Sequence, residues 1–239
     1  VTHRILVLRH DTDSGLGSLE APLRDAGLAI EVWESHVTAA PSLPTTGYHG
    51  VIVLGGIVNP DQDDEHAWLA SERTTIEQAL AAGIPTLGVC LGGQLLAQAA
   101  GGSAQASPHA EIGWFEIEAT PALAEDELFS GFPERFTSFE WHYYCFDPPP
   151  GATLLARGGA FNQAFRVGDR AWGTQFHIEV EAPSVHEWLG IASEDVVAHG
   201  FHPEEIARRT VEVDAEHVAL AHGLSARFAE VVARYATER

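Results

Sequence analysis

Thr86-Leu87-Gly88-Val89-Cys90-Leu91-Gly92-Gly93-Gln94 joins a buried strand to a helix without an intervening loop. Pro85 opens a short apolar run, Thr86 to Val89, of the kind buried in a parallel sheet, and Cys90 stands where that run ends. Leu91 to Ala100 then reads as a helix stopped by Gly101-Gly102. A strand that turns directly into a helix through G-x-C-x-G has the form of a nucleophile elbow, with cysteine in place of serine. The glycines permit the tight turn, and the turn projects the thiol above the sheet edge. At a helix N-terminus the aligned peptide dipoles favour a thiolate. The plainer alternative for Cys90 is a small buried thiol at a glycine-rich strand end.

Upstream of the elbow the chain alternates strand and helix. Ile5 to Leu8 is a buried-strand run, Leu19, Leu23 and Ala26 recur at helical spacing, and Leu28 to Trp33 is a second apolar stretch. Val51-Ile52-Val53-Leu54 ends on Gly55-Gly56, and a helix is predicted from about Glu65 to Ala82. Such alternation implies right-handed crossovers and a parallel sheet. Downstream, short strand-like runs follow at Gly113–Ala119, Arg135–Trp141, Ala152–Ala156, Ala160–Val167 and Ala171–Phe176, which predict antiparallel or mixed additions. From Pro183 onward the pattern is helical again. The expected architecture is α/β, a central parallel or mixed sheet flanked by helices, with extra antiparallel strands and a helical C-terminal extension.

Composition narrows the chemistry. The 239 residues carry 34 acidic and 13 basic side chains, a formal net charge of −21. Such a field repels phosphate backbones and anionic lipid surfaces, so neither nucleic acid nor membrane is an expected partner. Every basic residue is arginine. Without lysine there is no Schiff-base chemistry and no phosphate-binding P-loop. Two cysteines, Cys90 and Cys145, make no disulfide framework, and neither a signal-peptide pattern nor a long apolar span is present. The expectation is a cytoplasmic protein, whose leading Val1 reads as an alternative start codon translated literally.

A cysteine nucleophile needs a base, and the base an orienting group. In Thr174-Gln175-Phe176-His177-Ile178-Glu179, His177 and Glu179 share one side if the segment is extended. His177 would exchange a proton with Cys90, and Glu179 would fix the ring tautomer. A His-x-Glu pair by itself is as readily a surface ion pair; the upstream elbow makes it a triad candidate. The Leu91 amide is one natural oxyanion donor, and Gly55-Gly56 can bring a second amide close, or be only a tight turn.

Together these segments resemble the class I, triad-type glutamine amidotransferases. The glycine-pair strand Val51–Gly56, the elbow Gly88–Gln94 and Gln175–Glu179 fall in that family's order. Glu111-Ile112-Gly113-Trp114, Trp141-His142 and Asn162-Gln163-Ala164-Phe165-Arg166 have counterparts in its stand-alone, GMP-synthase-like branch. The similarity runs from about residue 4 to residue 190, which predicts an amidotransferase-like domain at 1–190 and a helical extension at 191–239 packed on it. The resemblance implies hydrolysis of the glutamine side-chain amide through a γ-glutamyl thioester, with ammonia passed to a separate synthase. It implies Cys90 as nucleophile, His177 as acid/base and Glu179 as its partner. Gly56 and Leu91 would supply oxyanion amides, and Gly55, Gln94, Trp141, Tyr143 and Tyr144 would contact substrate. No cofactor and no metal are implied.

Four residues at three places depart from the family pattern. Ile178 replaces a usual proline between the triad His and Glu, Ile57 replaces a proline after the glycine pair, and Tyr143-Tyr144 replaces Gly-Asp after His142. Two rings where glycine is usual alter the pocket, unless both pack into the core. They leave open a free-standing γ-glutamyl hydrolase or peptidase, with a catalytically silent relative as the reading from another class. Cys145 reads as a packed side chain. His199-Gly200-Phe201-His202 has metal-like spacing but no evident third ligand.

Overall fold

The structure is a computed structural model that describes residues 3–12, 14–39 and 41–238; the leading Val1 lies outside them. Strands β1 (Arg4–Arg9), β2 (Ala29–Glu34), β3 (Gly50–Val53) and β4 (Thr86–Val89) pair in parallel in the order β2-β1-β3-β4. Helices α1 (Glu20–Asp25) and α2 (Trp68–Ala81) lie between them in sequence, and α3 (Leu91–Ala99) leaves β4 at Cys90. β3 and β4 are buried along their whole length, which is why they read as uninterrupted apolar runs.

The chain then builds β5 (Ser103–Ala119), the short helix α4 (Pro121–Ala124), β6 (Arg135–Asp147), β7 (Thr153–Gly158), β8 (Phe161–Val167) and β9 (Ala171–Thr174). Among the described residues nine strands form one mixed sheet, ordered β2-β1-β3-β4-β9-β8-β7-β5-β6. β9 returns parallel to β4, with Thr174 opposite Val89, and β8, β7, β5 and β6 follow antiparallel. β5 and β6 extend well beyond the predicted runs. Ser103 to Ala106 carry little strand propensity of their own, yet each pairs with a residue of Tyr144–Asp147, so tertiary pairing overrides local preference there.

Alternation along β1 divides the core. Ile5 and Val7 face a cluster with Ile52, Leu87 and Val89, while Leu6 and Leu8 face another with Val51, Val53, Leu69 and Leu95. The C-terminal segment forms two helices, α5 (Ala182–Ala198) and α6 (Pro203–Glu238), divided at Gly200, whose φ of 85° ends the first. Leu224, Phe228 and Val232 of α6 enter the first core cluster. A third cluster, including Phe139, Val185, Leu189 and Ile206, fixes α5 against β6. Among the described residues no helix is long and apolar enough to cross a membrane.

Candidate active site

Four loops leave neighbouring strands at their C-terminal ends and meet in one place: His10 after β1, Gly55-Gly56 after β3, Cys90 after β4 and His177 after β9. Open α/β sheets place ligands at that edge. The crevice is a cavity of about 300 Å³, at the small end of the range for bound small molecules.

Cys90 is held in a conformation that few residues adopt. Its φ is 51° and ψ −110°, the one positive φ outside glycine among the described residues, a strain of roughly 1–3 kcal/mol. Its amide donates to the Thr174 carbonyl at 2.8 Å, which ties the elbow to β9. The glycine after Leu91 is required by contact: a Cβ on Gly92 would lie 2.0 Å from the Val53 carbonyl oxygen. The thiol lies 3.9 Å from the Trp141 carbonyl, and Gln175 Nε2 donates toward Sγ at 3.7 Å.

His177 lies against the same thiol. A Cβ on Gly55 would sit 2.7 Å from His177 Cε1 and 3.5 Å from Cys90 Cβ, so Gly55 is the gap that lets ring and thiol approach. His177 Nδ1 and Glu179 Oε1 are 2.7 Å apart. Strand alternation, the geometry expected for this pair, is not what brings the two side chains together. β9 ends at Thr174, and His177 makes only an isolated bridge to Phe139 before the chain turns at Ile178-Glu179. The turn, not strand alternation, points the carboxylate at the ring, and the Ser18 amide donates to the Glu179 carbonyl at 2.9 Å. Burial pulls the His177 pKa down, but the charges of Glu179 and Cys90 and hydrogen bonds to both outweigh it. The imidazole therefore titrates well above its ordinary value.

The remaining sequence-predicted residues all border the cavity: Gly55, Gly56, Leu91, Gln94, Trp141, Tyr143 and Tyr144. Gln94 Nε2 donates to the Tyr144 carbonyl at 2.9 Å and to Gln175 Oε1 at 3.3 Å, linking α3 to β6. The two tyrosines are half-buried wall residues. Tyr144 donates to Asp61 Oδ2 at 3.0 Å, and Tyr143 donates to Asp195 of α5. Burial and that carboxylate push the Tyr143 phenol up to about 12. Cys145 is buried on β6 and is absent from the cavity lining. His199 contacts Asp195 at the end of α5.

His10 and the α5 residues of this region carry no sequence signal, whereas Glu111, His142 and Gln163 lie in segments that do. His10 is buried between the Gly55 carbonyl, 2.9 Å from Nδ1, and Glu72 Oε2, 2.8 Å from Nε2. Trp188, Ile191 and Asp195 come from α5, which bends at Ala192 where it borders the cavity. Behind the elbow lies a buried polar group. His142 Nε2 is 3.1 Å from Glu111 and 3.4 Å from Glu140, and Gln163 Nε2 donates to Glu111 at 3.1 Å. Glu111, Glu140 and His142 converge closely enough to hold a small cation. Burial, reinforced by Glu111, holds Glu140 well above the usual carboxylate range, and both of its carboxylate oxygens are buried without a hydrogen-bond partner among the described residues.

The chain that builds this crevice resembles known proteins in sequence and fold. The family model for glutamine amidotransferase class-I matches residues 11–189, and the chain belongs to that family. A glutamine amidotransferase of Thermotoga maritima superposes with a TM-score of 0.87 at 29% identity, covering 96% of this chain and 99% of that one. The glutamine amido transferase of Methylobacillus flagellatus gives 0.87 at 29%, covering 97% and 96%. The glutamine amidotransferase-like protein YfeJ of Salmonella typhimurium is 29% identical over 188 residues, 76% of this chain and 78% of that protein. The glutamine-hydrolysing GMP synthase of Aeropyrum pernix is 34% identical over 153 residues, 61% of this chain but only 28% of that enzyme.

Proposed function

We propose that this protein hydrolyses the side-chain amide of glutamine through a Cys90-linked γ-glutamyl thioester and releases ammonia for a separate acceptor enzyme. The observation that carries the proposal is the meeting, in one cavity, of a strained cysteine at a helix N-terminus with an imidazole held 2.7 Å from a buried carboxylate. Cys90 Sγ attacks the γ-carbonyl carbon, and the Gly56 and Leu91 amides receive the developing oxyanion. His177 takes the thiol proton and delivers it to the departing nitrogen as the C–N bond breaks. Water, deprotonated by the same ring, then cleaves the thioester to glutamate and restores the thiol. Glu179 keeps the ring oriented and stabilises its charged form. Gly55, Gln94, Trp141, Tyr143 and Tyr144 contact the substrate.

The reaction uses no cofactor. Residues 1–190 would form the catalytic unit and 191–239 a helical extension on it; that boundary falls inside α5, whose Ile191 and Asp195 border the cavity, and α6 side chains enter the central core. Two buried cysteines without a disulfide fit a reducing, cytoplasmic setting. The Aeropyrum pernix GMP synthase is matched over 28% of its own length, and the acceptor of the ammonia is proposed here as a separate synthase. A second reading, a free-standing hydrolase of larger γ-glutamyl amides, is favoured by the half-buried Tyr143 and Tyr144 on the cavity wall. Incubation with glutamine and a panel of γ-glutamyl amides, scoring ammonia and glutamate, tests both. Glutamate from none of them would mean a silent relative.

A further inference from the structure

The cavity wall around Cys90 is built largely of rings and carboxylates. Trp141 and Trp188 stand nearly perpendicular, 88° between planes with centroids 6.2 Å apart. The Trp188 ring is also edge-on to His177, centroids 5.5 Å apart. Tyr143 continues the wall, and both its hydroxyl and Trp141 Nε1, 3.2 Å from it, tie that corner toward Asp195. Among the described lining residues the carboxylates are Asp11 after β1 and Asp195 on α5, and the one imidazole raised toward its charged form is His177 at the thiol. No arginine lines the cavity, and the chain has no lysine. Ring faces set at right angles beside carboxylates attract an ammonium, through the ring quadrupoles and through charge. Ile57 and Ile191 also line the cavity while 87% and 68% exposed, so its mouth presents apolar surface to solvent. A hydrocarbon chain lying there would remove that surface from water.

We infer that the leaving group this site takes is an amine bearing a second, cationic amino group on a hydrocarbon chain, so that the substrates are γ-glutamyl amides of diamines or polyamines. The inference rests on the second reading above, a thiol hydrolase of larger γ-glutamyl amides, and specifies its substrate class, with a diamine in place of ammonia as the leaving group. The balance is unchanged: the S–C bond forms, the C–N bond breaks, and the diamine leaves with the proton from His177. Water then releases glutamate and restores the Cys90 thiol. The second ammonium takes no part in bond exchange. It lies against Trp141 and Trp188 with Asp195 as counter-charge, while the methylenes reach toward Ile57 and Ile191.

The γ-glutamyl moiety carries an α-ammonium of its own, which could claim the same carboxylates, so the test must separate the two. Glutamate release is compared for glutamine, γ-glutamyl-diaminobutane and γ-glutamyl-pentylamide, which replaces the terminal ammonium by a methyl group. The diaminobutane amide is expected to exceed the pentylamide in kcat/KM by at least about tenfold, with the margin shrinking as salt is raised. Asp195→Asn and, independently, Asp11→Asn should reduce that ratio. Equal rates for the two amides, or a preference for the pentylamide or for glutamine, overturn the inference while leaving the thiol chemistry standing. Aspartate variants that depress all three substrates equally assign the carboxylates to the α-ammonium and also overturn it. No glutamate from any substrate overturns the thiol-amidase reading and the inference with it.

Discussion

His10 and Glu72 form a buried pair, 2.8 Å between Nε2 and Oε2, and the other ring nitrogen of His10 lies 2.9 Å from the Gly55 carbonyl. With Glu72 ionised both partners are acceptors, so the ring must donate from both nitrogens and is an imidazolium. Burial opposes that charge, but Glu72 and the Gly55 carbonyl together raise the His10 pKa above 6.5. The loop that presents Gly55 and Gly56 to Cys90 is thus anchored to α2 by a charge pair.

Glu72→Gln should therefore do two things. Removing one partner of a buried pair costs about 3–5 kcal/mol. Because the folded pKa is raised, the pair's contribution is complete below about pH 6.5 and fades as pH rises through the folded value. Urea midpoints should differ most between wild type and variant at acid pH, and converge in alkali. Glutamate release should fall as well, through the displaced Gly56 amide. A stability difference independent of pH would mean that the pair is not ionised.

At the other side of the cavity, His177→Ala should lower the chemical step at least as far as Glu179→Gln. Positioned acid–base groups contribute roughly 100- to 10,000-fold, and in the proposed mechanism only His177 exchanges the proton directly. Glu179→Gln leaves a ring that is present but poorly held, so residual turnover is expected. Single-turnover thioester formation measures both. A Glu179→Gln enzyme at the wild-type rate would show that this carboxylate serves another purpose.

His217, on α6, offers a separate pH signature. It is buried beside Trp114, with ring centroids 5.0 Å apart, and burial pushes its pKa down to about 4 from an ordinary 6.5. The folded state therefore resists protonation more than the unfolded chain does. Stability is full above about pH 6.5 and declines as pH falls toward 4, by at most roughly 3 kcal/mol. His217→Leu should flatten that slope. Urea titrations at about pH 7 and pH 5 check it: equal losses in wild type and variant would place the acid sensitivity elsewhere.

What could be read from the sequence depended on whether the information was local. β3 and β4 are buried on both faces, so their apolar runs were unmistakable. The elbow is written within a few consecutive residues, and Gly92 is explained by the Val53 carbonyl that any Cβ would strike. His177 and Glu179 were found through a strand geometry that the chain does not have there; a turn makes the same pair. Trp188 and Asp195 were not legible. They reach the cavity because Val185 and Leu189 dock α5 on the cluster around Phe139, a tertiary event with no mark in the helix's own pattern. His10 was hidden for the same reason, since Glu72 lies 62 residues away.

Trapping the γ-glutamyl group on the protein shows whether Cys90 carries it. Protein mixed with substrate, quenched in acid and digested, should yield a γ-glutamyl adduct on the peptide containing Cys90 and none on the peptide containing Cys145. The adduct should form in wild type and Cys145→Ser alike and be absent from Cys90→Ser. An adduct on Cys145, or glutamate formed by Cys90→Ser at the wild-type rate, would contradict the account.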